Sequence, residues 1–362
     1  MRQVTIVLYG ATGYTGRLVA DELARRGVDH VLSGRDETKL ARLAAERGTP
    51  VAAASLDDDA ALRALLADAS AVINCAGPFT VAGDALVRAA TLTRTHYVDS
   101  TGEQPFIRMV FDRHSRAADQ AGVALVPALG FDYAPGDCLA RLAAQGLEPL
   151  QELVMAYDVE DFGMSRGTLR SALEILKGGD VIYRDERWQP APSGVSRASF
   201  EFPAPLGNRA VTRFASGEVI TVPHHTRTRA VTSLMTTTTG TPVRALAPVL
   251  PYTMPAIAFT LRTPLRRLIG KALRAMPEGP PPEARREARF TVVAVAHGLD
   301  GATRRAVLRG SDVYGLTALS LVEGAQRLSE PGHGRSGALA PASAFDAAPF
   351  LDALGLEYEV AA

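Results

Sequence analysis

The stretch Gly10-Ala11-Thr12-Gly13-Tyr14-Thr15-Gly16 lies between an apolar, β-branched run, Val4 to Tyr9, and a segment with helical spacing, Arg17 to Arg26. A glycine-rich turn between a first strand and a first helix is typical of phosphate binding in dinucleotide-binding folds. One glycine lets the chain leave the strand, a second leaves room for a pyrophosphate, and a third lets the helix approach the sheet. The helix N-terminus offers free N–H groups to the phosphates. The residues predicted to bind a dinucleotide here are Gly10, Thr12, Gly13, Tyr14, Thr15 and Gly16.

Strand-like and helix-like segments alternate over residues 1–132. Apolar runs such as Val51–Ala54 and Ala71–Cys75 are separated by segments with helical spacing and short connections. Strands buried on both faces that alternate with amphipathic helices are typical of a parallel sheet. We therefore expect an α/β fold with a Rossmann-type doubly wound parallel sheet.

The sequence changes in character after Pro135. Thr228–Thr239 is rich in threonine and valine, and two further strand-like runs, Phe290–Ala296 and Ala302–Leu308, flank the dipeptide Asp300–Gly301. An Asp-Gly dipeptide between two such runs is typical of a hairpin turn. These β-rich segments predict a second domain of the α+β type.

We expect three parts along the chain. Residues 1–132 form the Rossmann domain, and residues 133–335 form the α+β domain, which carries the substrate and the contact of a homodimer. Residues 336–362 contain helical spacing around Phe345–Leu354. This last segment is predicted to be a C-terminal helix that packs back on the first domain.

The composition of the 362 residues is that of a globular protein, with 47% hydrophobic and 22% charged residues. The 39 basic residues balance 39 acidic ones, which argues against a nucleic-acid partner held by the charge of the whole chain. Only two cysteines, Cys75 and Cys138, are present, so a disulfide framework is excluded and a reducing compartment is indicated. The N-terminus lacks the pattern of a signal peptide. We expect a cytoplasmic protein.

One apolar stretch bears on membrane contact. Residues 245–261 carry no charge, but Pro248, Pro251 and Pro255 interrupt them, which argues against a transmembrane helix. Residues 263–276 then have an apolar face and an arginine-rich face. We favour a surface helix packed on its own domain, and docking to a membrane surface or an acyl carrier remains the alternative.

The end of the second predicted strand indicates which dinucleotide binds. NAD sites usually place a carboxylate there for the ribose 2′-hydroxyl, whereas a 2′-phosphate requires arginine. This strand ends in Leu32-Ser33-Gly34-Arg35, so Arg35 can pair with the phosphate and Ser33 can add a hydroxyl. Asp36 is better explained as the N-cap of the next helix. We predict NADPH as the cofactor, with small residues after the fourth strand lying along it: Asn74, Ala76 and Gly77.

The chemistry of short-chain dehydrogenases is excluded, because none of the nine tyrosines is followed four residues later by lysine. The chain instead resembles the saccharopine dehydrogenase-like oxidoreductases, including the trans-acting enoyl reductases. The matching pieces are GATGYTG at 10–16, SGR at 33–35, NCAGPF at 74–79, HYVDSTGE at 96–103, GFDYAPGD at 130–137, SRGTLRSAL at 165–173, SGEVITVPHH at 216–225, DVYGLTA at 312–318 and GALAPASAF at 337–345. This resemblance implies an NADP-dependent oxidoreductase, and it spans relatives with different substrates.

Hydride transfer from nicotinamide requires a group that protonates or stabilises the oxyanion left on the substrate. Two predicted strands end in polar segments at the carboxyl edge of the sheet, where Tyr133 is the candidate acid and Asp99 can position substrate or ribose. The alternatives are a tyrosine packed at a domain hinge and a carboxylate that caps a turn. His225 is a further candidate acid, because histidine titrates near neutrality and the resemblance places a histidine in this segment.

The resemblance also implies that the helix start around Ser165 forms a wall of the substrate site. Arg166 can hold a carboxylate or phosphopantetheine group there, with Thr168 beside it, or Arg166 can simply be solvated. We expect no metal site, because adjacent histidines in a strand point to opposite faces and no third ligand follows from the sequence. Cys75 is predicted to be a packing thiol, not a nucleophile.

These observations predict an NADPH-dependent reductase of an enoyl or keto intermediate of lipid, polyketide or other specialised metabolism. The substrate would be a small molecule or a carrier-bound group. Two alternatives remain open from the sequence. One is a ketone reductase that acts on a keto-sugar-like metabolite, and the other is a non-catalytic NADPH-binding sensor or scaffold.

Overall fold

The computed structural model describes residues 5–131, 133–192, 198–239 and 275–361, without the side chains of 174–178. Contacts divide the chain into two units. Unit 1 comprises Met1–Ala134 and Tyr314–Phe345, and unit 2 comprises Pro135–Val313 and Asp346–Ala362.

Unit 1 is built on a seven-stranded sheet in the order β15-β6-β5-β4-β1-β2-β3, and every pairing in it is parallel. Its strands are β1 (Ile6–Tyr9), β2 (His30–Gly34), β3 (Val51–Ala53), β4 (Ala71–Asn74), β5 (His96–Asp99), β6 (Ala124–Val126) and β15 (Gly337–Ala338). All residues of the apolar strands β1 and β4 are buried, as expected where helices cover both faces of a sheet. The predicted Rossmann-type doubly wound sheet is confirmed.

Helices connect these strands in the expected alternation. They are α1 (Tyr14–Arg25), α2 (Glu37–Arg47), α3 (Asp59–Leu66), α4 (Phe79–Thr93), α5 (Gln104–Met109) and α6 (Ser115–Ala121), with a π turn, Val110–His114, between the last two. The strand order reverses at β1, which lies between β2 and β4. Ligands of such sheets bind outside the carboxyl ends of the strands at this switch point.

Unit 2 is built on a nine-stranded mixed sheet, in which β10-β11-β12-β7-β13-β14-β16 form the main path and β8 and β9 extend from β12. The strands are β7 (Leu150–Glu160), β8 (Val181–Arg184), β9 (Arg187–Pro190), β10 (Ala198–Glu201), β11 (Asn208–Arg213), β12 (Ala230–Thr236), β13 (Arg289–Gly298), β14 (Thr303–Ser311) and β16 (Glu357–Ala361). A buried apolar cluster that includes Phe202 and Val293 packs against this sheet. The predicted α+β class of the second domain is confirmed, and β13 and β14 pair as the hairpin expected around Gly301.

The described helices of unit 2 are α7 (Ala134–Ala144), α8 (Arg166–Gly178), α9 (Glu218–Thr221) and the segments Pro282–Glu287 and Ala347–Ala353. One further helix, Val313–Ser329, belongs to unit 1 from Tyr314 onward, together with the short helix Pro341–Ala344.

The C-terminal region differs from the single helix predicted for 336–362. Gly337–Ala338 adds a strand to the sheet of unit 1, whereas Glu357–Ala361 pairs antiparallel with β14 in unit 2. The expected boundary at 335 therefore lies inside the helix-rich segment 314–345. All of this segment belongs to unit 1. The prediction failed because helical spacing around Phe345 contains no information about the flanking segments. It does not indicate that the segment before it joins one sheet and the segment after it joins the other.

The stretch around 245–276 that bears on membrane docking lies almost entirely outside the described residues. Within the ranges that the structure does describe, no helix has the length and apolarity needed to cross a bilayer.

A buried carboxylate closes the N-terminus of α4. Glu103, which is 1% exposed, accepts the N–H of Phe79 on Oε1 at 2.9 Å and the N–H of Thr80 on Oε2 at 2.8 Å. The first amides of a helix have no partner inside the helix, so a carboxylate placed here satisfies them and interacts favourably with the helix dipole. Glu103 therefore links the end of β5 to the start of α4.

We expect the substitution Glu103→Ala to lower the free energy of unfolding by about 2–4 kcal/mol, because it leaves two buried amides without an acceptor. Glu103→Gln keeps one carbonyl oxygen and should lose roughly half as much. Asp112→Ala, which removes an exposed carboxylate nearby, serves as the control and should change stability by less than about 1 kcal/mol. Urea unfolding of the three variants measures these differences, and equal values for Glu103→Ala and Asp112→Ala would contradict the capping role.

Candidate functional site

The turn between β1 and α1 is held by backbone hydrogen bonds to the neighbouring strand. The N–H groups of Gly10 and Ala11 donate to the carbonyl of Ser33 at 2.9 and 3.1 Å, and the N–H of Gly13 donates to the carbonyl of Gly10 at 3.1 Å. These bonds fix the turn at the carboxyl end of β1, beside the strand that carries Arg35. The predicted phosphate-binding turn thus lies at the switch point of the sheet.

Each of the three glycines is required for a different reason. Gly10 has a φ of +84°, and a Cβ on it would lie 2.8 Å from the backbone of Cys75 and Ala76. A Cβ on Gly16 would overlap the carbonyl of Gly10 and approach the Cα of Ala11 to 2.9 Å, so this glycine lets α1 pack against the turn. A Cβ on Gly13 would meet only the Gly10 carbonyl, at 3.4 Å. The space beside Gly13 is therefore open to a ligand.

The start of α1 suits an anion. Gly13 is its N-cap residue and makes no side-chain cap, and the first turn contains no acidic residue. The amides of this first turn and the positive end of the helix dipole therefore face the turn. A pyrophosphate fits this cradle, and Thr12, Tyr14 and Thr15 are the partly buried side chains around it.

Arg35 follows the last residue of β2 and is exposed. Among the described residues it has no carboxylate partner, and its positive charge partly offsets the rise that burial causes in the pKa of Tyr9. Asp36 is engaged elsewhere: it caps α2 by accepting the N–H of Lys39 at 3.0 Å, and this bond lowers its pKa. The N-cap interpretation of Asp36 is confirmed, and the guanidinium of Arg35 is available for a phosphate.

Ser33 does not offer the hydroxyl that was predicted for the phosphate. It is fully buried in β2, and its Oγ donates to the carbonyl of Ala52 on β3 at 2.7 Å. Its backbone carbonyl instead holds the glycine turn. The prediction is wrong in this respect, because the hydroxyl is buried and bonded to β3.

The β4–α4 turn is organised by Asn74. Its Oδ1 accepts the N–H of Ala76 at 3.0 Å, and its Nδ2 donates to the hydroxyl of Tyr97 at 3.0 Å. Asn74 is buried, whereas Ala76 is half-buried and Gly77 is exposed, so the last two present backbone to a ligand along the strand ends. Burial raises the pKa of the Cys75 thiol well above its usual value, with the charge of Asp99 adding to the rise. This agrees with a packing thiol.

Asp99 ends β5 and is fully buried. Its Oδ1 accepts the N–H of Thr101 at 2.8 Å and the N–H of Ala128 at 2.9 Å. Burial nevertheless raises its pKa to about 7, although the two amides lower it. Asp99 therefore acts as a turn cap, the alternative considered from sequence, and its carboxyl titrates near neutral pH.

Tyr133 lies at the same end of β5. It is 2% exposed, and its hydroxyl donates to the carbonyl of Gly102 at 3.1 Å. The structure thus brings two of the predicted catalytic groups, Asp99 and Tyr133, to one end of one strand. The role of Tyr133 as an acid stays a prediction.

His225 lies in unit 2, in a buried cluster with Asp137. Its Nε2 is 3.0 Å from Asp137 Oδ1 and its Nδ1 is 2.9 Å from the hydroxyl of Thr226. The hydroxyl of Thr221 donates to the same Asp137 oxygen at 2.6 Å. Both ring nitrogens of His225 are therefore engaged within the cluster, and its role as an acid stays a prediction.

The sequence analysis placed the two adjacent histidines in a strand, and this expectation is wrong. Val222–His224 forms a 3₁₀ turn that continues α9, and the ring of His224 packs 5.7 Å from that of Trp188. Proline at residue 223 and the preceding helical turn explain the difference, because they favour a helical path. Within the described ranges, no group of three or more histidine, cysteine or acidic side chains could hold a metal ion.

A buried carboxylate next to this cluster was not anticipated. Glu218 is fully buried and accepts a short hydrogen bond from the hydroxyl of Tyr157 on β7. Burial raises its pKa to about 8, although hydrogen bonds from Tyr157 and Ser216 lower it. Gly136 packs against this pair, since a Cβ there would overlap both the Tyr157 hydroxyl and the Glu218 carboxylate. Only the quoted motifs GFDYAPGD and SGEVITVPHH indicated that these segments matter.

Arg166 and Thr168 lie at the start of α8, as expected. Ser165 caps this helix by accepting the N–H of Thr168 at 3.1 Å, and its Oγ is 2.9 Å from the hydroxyl of Thr168. The Nη2 of Arg166 donates to the carbonyl of Met276 at 2.7 Å. Both side chains thus support local structure, and their contact with substrate stays a prediction.

Residues 6–126 match the family model described as the saccharopine dehydrogenase NADP binding domain. This part of the chain is similar to such a domain. The match supports NADP(H) binding by this part of the chain, and it confirms the resemblance that the motifs indicated.

Three relatives extend the comparison. A Mycobacterium tuberculosis protein named as a candidate trans-acting enoyl reductase is 35% identical over 187 residues, which are 48% of this chain and 45% of that protein. The trans-acting enoyl reductase of Mycobacterium leprae is 36% identical over 143 residues, 38% of this chain and 34% of that protein. The chain thus spans less than half the length of these curated relatives. Apo saccharopine dehydrogenase (L-Glu forming) from Saccharomyces cerevisiae shares the fold, with a TM-score of 0.62 and 16% identity over 99% of this chain and 100% of that one.

A pair of alanine substitutions tests the glycine cradle. Gly13→Ala should raise the Kd for NADPH at least about tenfold, because its methyl group enters the open space beside the turn, while unfolding free energy changes by less than about 1 kcal/mol. Gly16→Ala should lower stability by roughly 2 kcal/mol or more, because its Cβ meets backbone. Calorimetric titration and urea unfolding measure the two effects. Unchanged NADPH affinity in a folded Gly13→Ala protein would exclude the cradle as the phosphate site.

The buried carboxyl of Glu218 should make stability depend on pH. Its pKa is about 8 in the folded protein, above the ordinary value of 4.5, so the folded state binds the proton that the unfolded state releases. Its contribution is present below pH 4.5 and is lost as the pH rises toward 8, at a slope of roughly 1.4 kcal/mol per pH unit. Between pH 6 and 8 the wild type should therefore lose more unfolding free energy than Glu218→Gln, as measured in urea. Parallel pH profiles would contradict the protonated carboxyl.

Proposed function

We propose that this protein is an NADPH-dependent oxidoreductase that transfers hydride to an enoyl or keto intermediate of lipid, polyketide or other specialised metabolism. The substrate is a small molecule or a carrier-bound group. The similarity to proteins named trans-acting enoyl reductase favours the enoyl substrate.

The observation that carries the proposal is the pairing of an open glycine cradle with an unpaired arginine at the end of the next strand. Gly13 leaves the space beside the α1 N-terminus free, and Arg35 is exposed without a described carboxylate partner. The carboxylate that could have marked an NAD site, Asp36, is used as a helix cap. This combination favours the dinucleotide that carries a 2′-phosphate.

The bound nicotinamide would supply the hydride, and the residues of this chain would bind the coenzyme and control protons. Gly10, Gly13 and Gly16 shape the site of the pyrophosphate, and Arg35 pairs with the 2′-phosphate. Asn74 holds the turn that runs along the strand ends. Asp99 and Tyr133 are the groups near the carboxyl end of β5 that can hold a proton.

We infer that Asp99 contributes to the protonation step indirectly. Its carboxyl is fully buried, so it positions the segment that follows β5 and keeps a titratable proton there. The hydroxyl of Tyr133 donates a hydrogen bond to the carbonyl of Gly102, which lies in this segment. We propose that this hydroxyl donates the proton to the oxyanion or enolate of the substrate. Action in the cytoplasm and assembly as a homodimer are further expectations that belong to this proposal.

The activity is tested by following NADPH oxidation with an α,β-unsaturated thioester and, separately, with a keto substrate. Turnover of the unsaturated thioester supports an enoyl reductase, whereas turnover of the ketone alone supports the keto alternative. Stoichiometric NADPH binding with no oxidation against either class would favour the non-catalytic sensor or scaffold.

Cofactor choice is tested with Arg35→Asp. We expect the KM or Kd for NADPH to rise by about tenfold to a hundredfold, because a bidentate charge-assisted pair is lost and a carboxylate faces the phosphate. The value for NADH should change far less. Arg42→Asp, which places the same charge change at an exposed position on α2, is the control and should leave both values nearly unchanged. Equal effects of Arg35→Asp on the two coenzymes would refute the assignment.

A further inference from the structure

A cavity of about 410 Å³ opens at the amino ends of the strands in unit 1. His96, the first residue of β5, and Ser70, which directly precedes β4, line it together with the end of the helix Val313–Ser329. The glycine cradle and Asp99 lie at the opposite, carboxyl ends of the same sheet. The four residues of β5 separate His96 from Asp99 by roughly 10 Å along the strand. The cavity is therefore distinct from the dinucleotide site.

The floor of the cavity presents a defined donor. The backbone N–H of Ala124 donates to Nδ1 of His96 at 3.0 Å, so this nitrogen is an acceptor and carries no proton. Burial lowers the pKa of His96 to about 4, with the neighbouring His333 adding to the effect, so the ring is neutral at pH 7. A neutral imidazole with an acceptor at Nδ1 has its proton on Nε2. His96 thus offers one N–H group as a donor.

A second imidazole faces the first. The rings of His96 and His333 are 5.9 Å apart and nearly perpendicular. Nε2 of His333 is buried and has no hydrogen-bond partner among the described residues. Burial also lowers the pKa of His333, so this ring is neutral at pH 7. His333 lines the cavity, so the signals of its ring can report a ligand that binds there.

The rim of the cavity carries charge of both signs. Arg94, Asp68 and Glu330 line it and are exposed. Arg94 also has a φ of 58°, at the position after α4 where glycine is usually found. A side chain in this conformation introduces backbone strain. A binding role for the guanidinium would explain why arginine stands at this position.

We propose that this cavity binds a small zwitterion that carries one carboxylate and one ammonium group. A simple anion would be attracted by Arg94 but repelled by Asp68 and Glu330, and a simple cation would meet the reverse arrangement. A molecule with both charges pairs its carboxylate with Arg94 and the His96 N–H, and its ammonium with the acidic side chains. The proposal is independent of the reductase activity, and its test contains no NADPH.

The test follows the imidazole signals of the full-length protein by NMR during titration with glycine, β-alanine and 4-aminobutyrate. At least one of the three should shift the His96 and His333 signals saturably. The His297 signal, from the β13–β14 hairpin of unit 2, should not move and is the internal control. Acetate and methylammonium, which each carry one charge, should bind at least fivefold more weakly. No saturable shift with any zwitterion, or acetate binding as tight as the best of them, overturns the proposal.

Arg94→Gly separates binding from folding. Glycine adopts the left-handed conformation without strain, so the Tm of this variant should equal or exceed that of the wild type. Zwitterion affinity should nevertheless fall at least fivefold, because the guanidinium is lost. A folded Arg94→Gly protein that binds the zwitterion as tightly as the wild type would show that the cavity does not recognise a carboxylate in this way.

Discussion

The absence of a side chain at Gly16 is the constraint on which unit 1 depends. Because α1 begins directly against the turn that leaves β1, a Cβ at this position would overlap the carbonyl of Gly10. The close approach directs the amides at the start of α1 toward the switch point of the sheet, where β1 separates β2 from β4. The carbonyl of Ser33 on β2 accepts hydrogen bonds from the turn. The strand that positions the turn is therefore also the strand that Arg35 follows. The proposed phosphate site and the proposed contact of Arg35 with the coenzyme thus depend on the same packing contact.

Buried carboxylates organise both units, but their surroundings give them different properties. Glu103 accepts two helix amides, which is the usual way to satisfy a buried negative group. Asp99 also accepts two amides, yet burial prevails and its pKa rises to about 7. Glu218 accepts hydrogen bonds from the hydroxyls of Tyr157 and Ser216, and burial raises its pKa further, to about 8. At Asp99 and Glu218, burial therefore outweighs the hydrogen bonds that lower the pKa of each carboxyl.

The sequence was sufficient where the physical cause is local. The glycine turn, the Asp36 cap and the hairpin at Gly301 each depend on a few consecutive residues, and the structure has all three. Contacts between distant residues could not be anticipated in the same way. Glu103 meets α4 24 positions earlier in the chain, and Glu218 meets Tyr157 across 61 positions. The side chain of Ser33 was assigned to the phosphate because its position at the strand end was predictable, whereas the direction of its hydroxyl depends on its pairing with β3.

The division of the C-terminal region has the same origin. Residues 337–338 and 357–361 are both short and weakly patterned, and each completes the edge of a different sheet. Unpaired N–H and C=O groups at the edge of a sheet can pair with any extended segment that reaches them. The position of such an edge, more than the sequence of the segment, therefore determines where an edge strand forms. The return segment 314–345 also supplies His333 and the helix end beside the amino edge of the first sheet. The second crossing of the chain into unit 1 therefore builds the cavity that β5 alone could not enclose. His96 becomes half-buried because of residues more than 200 positions away in the sequence.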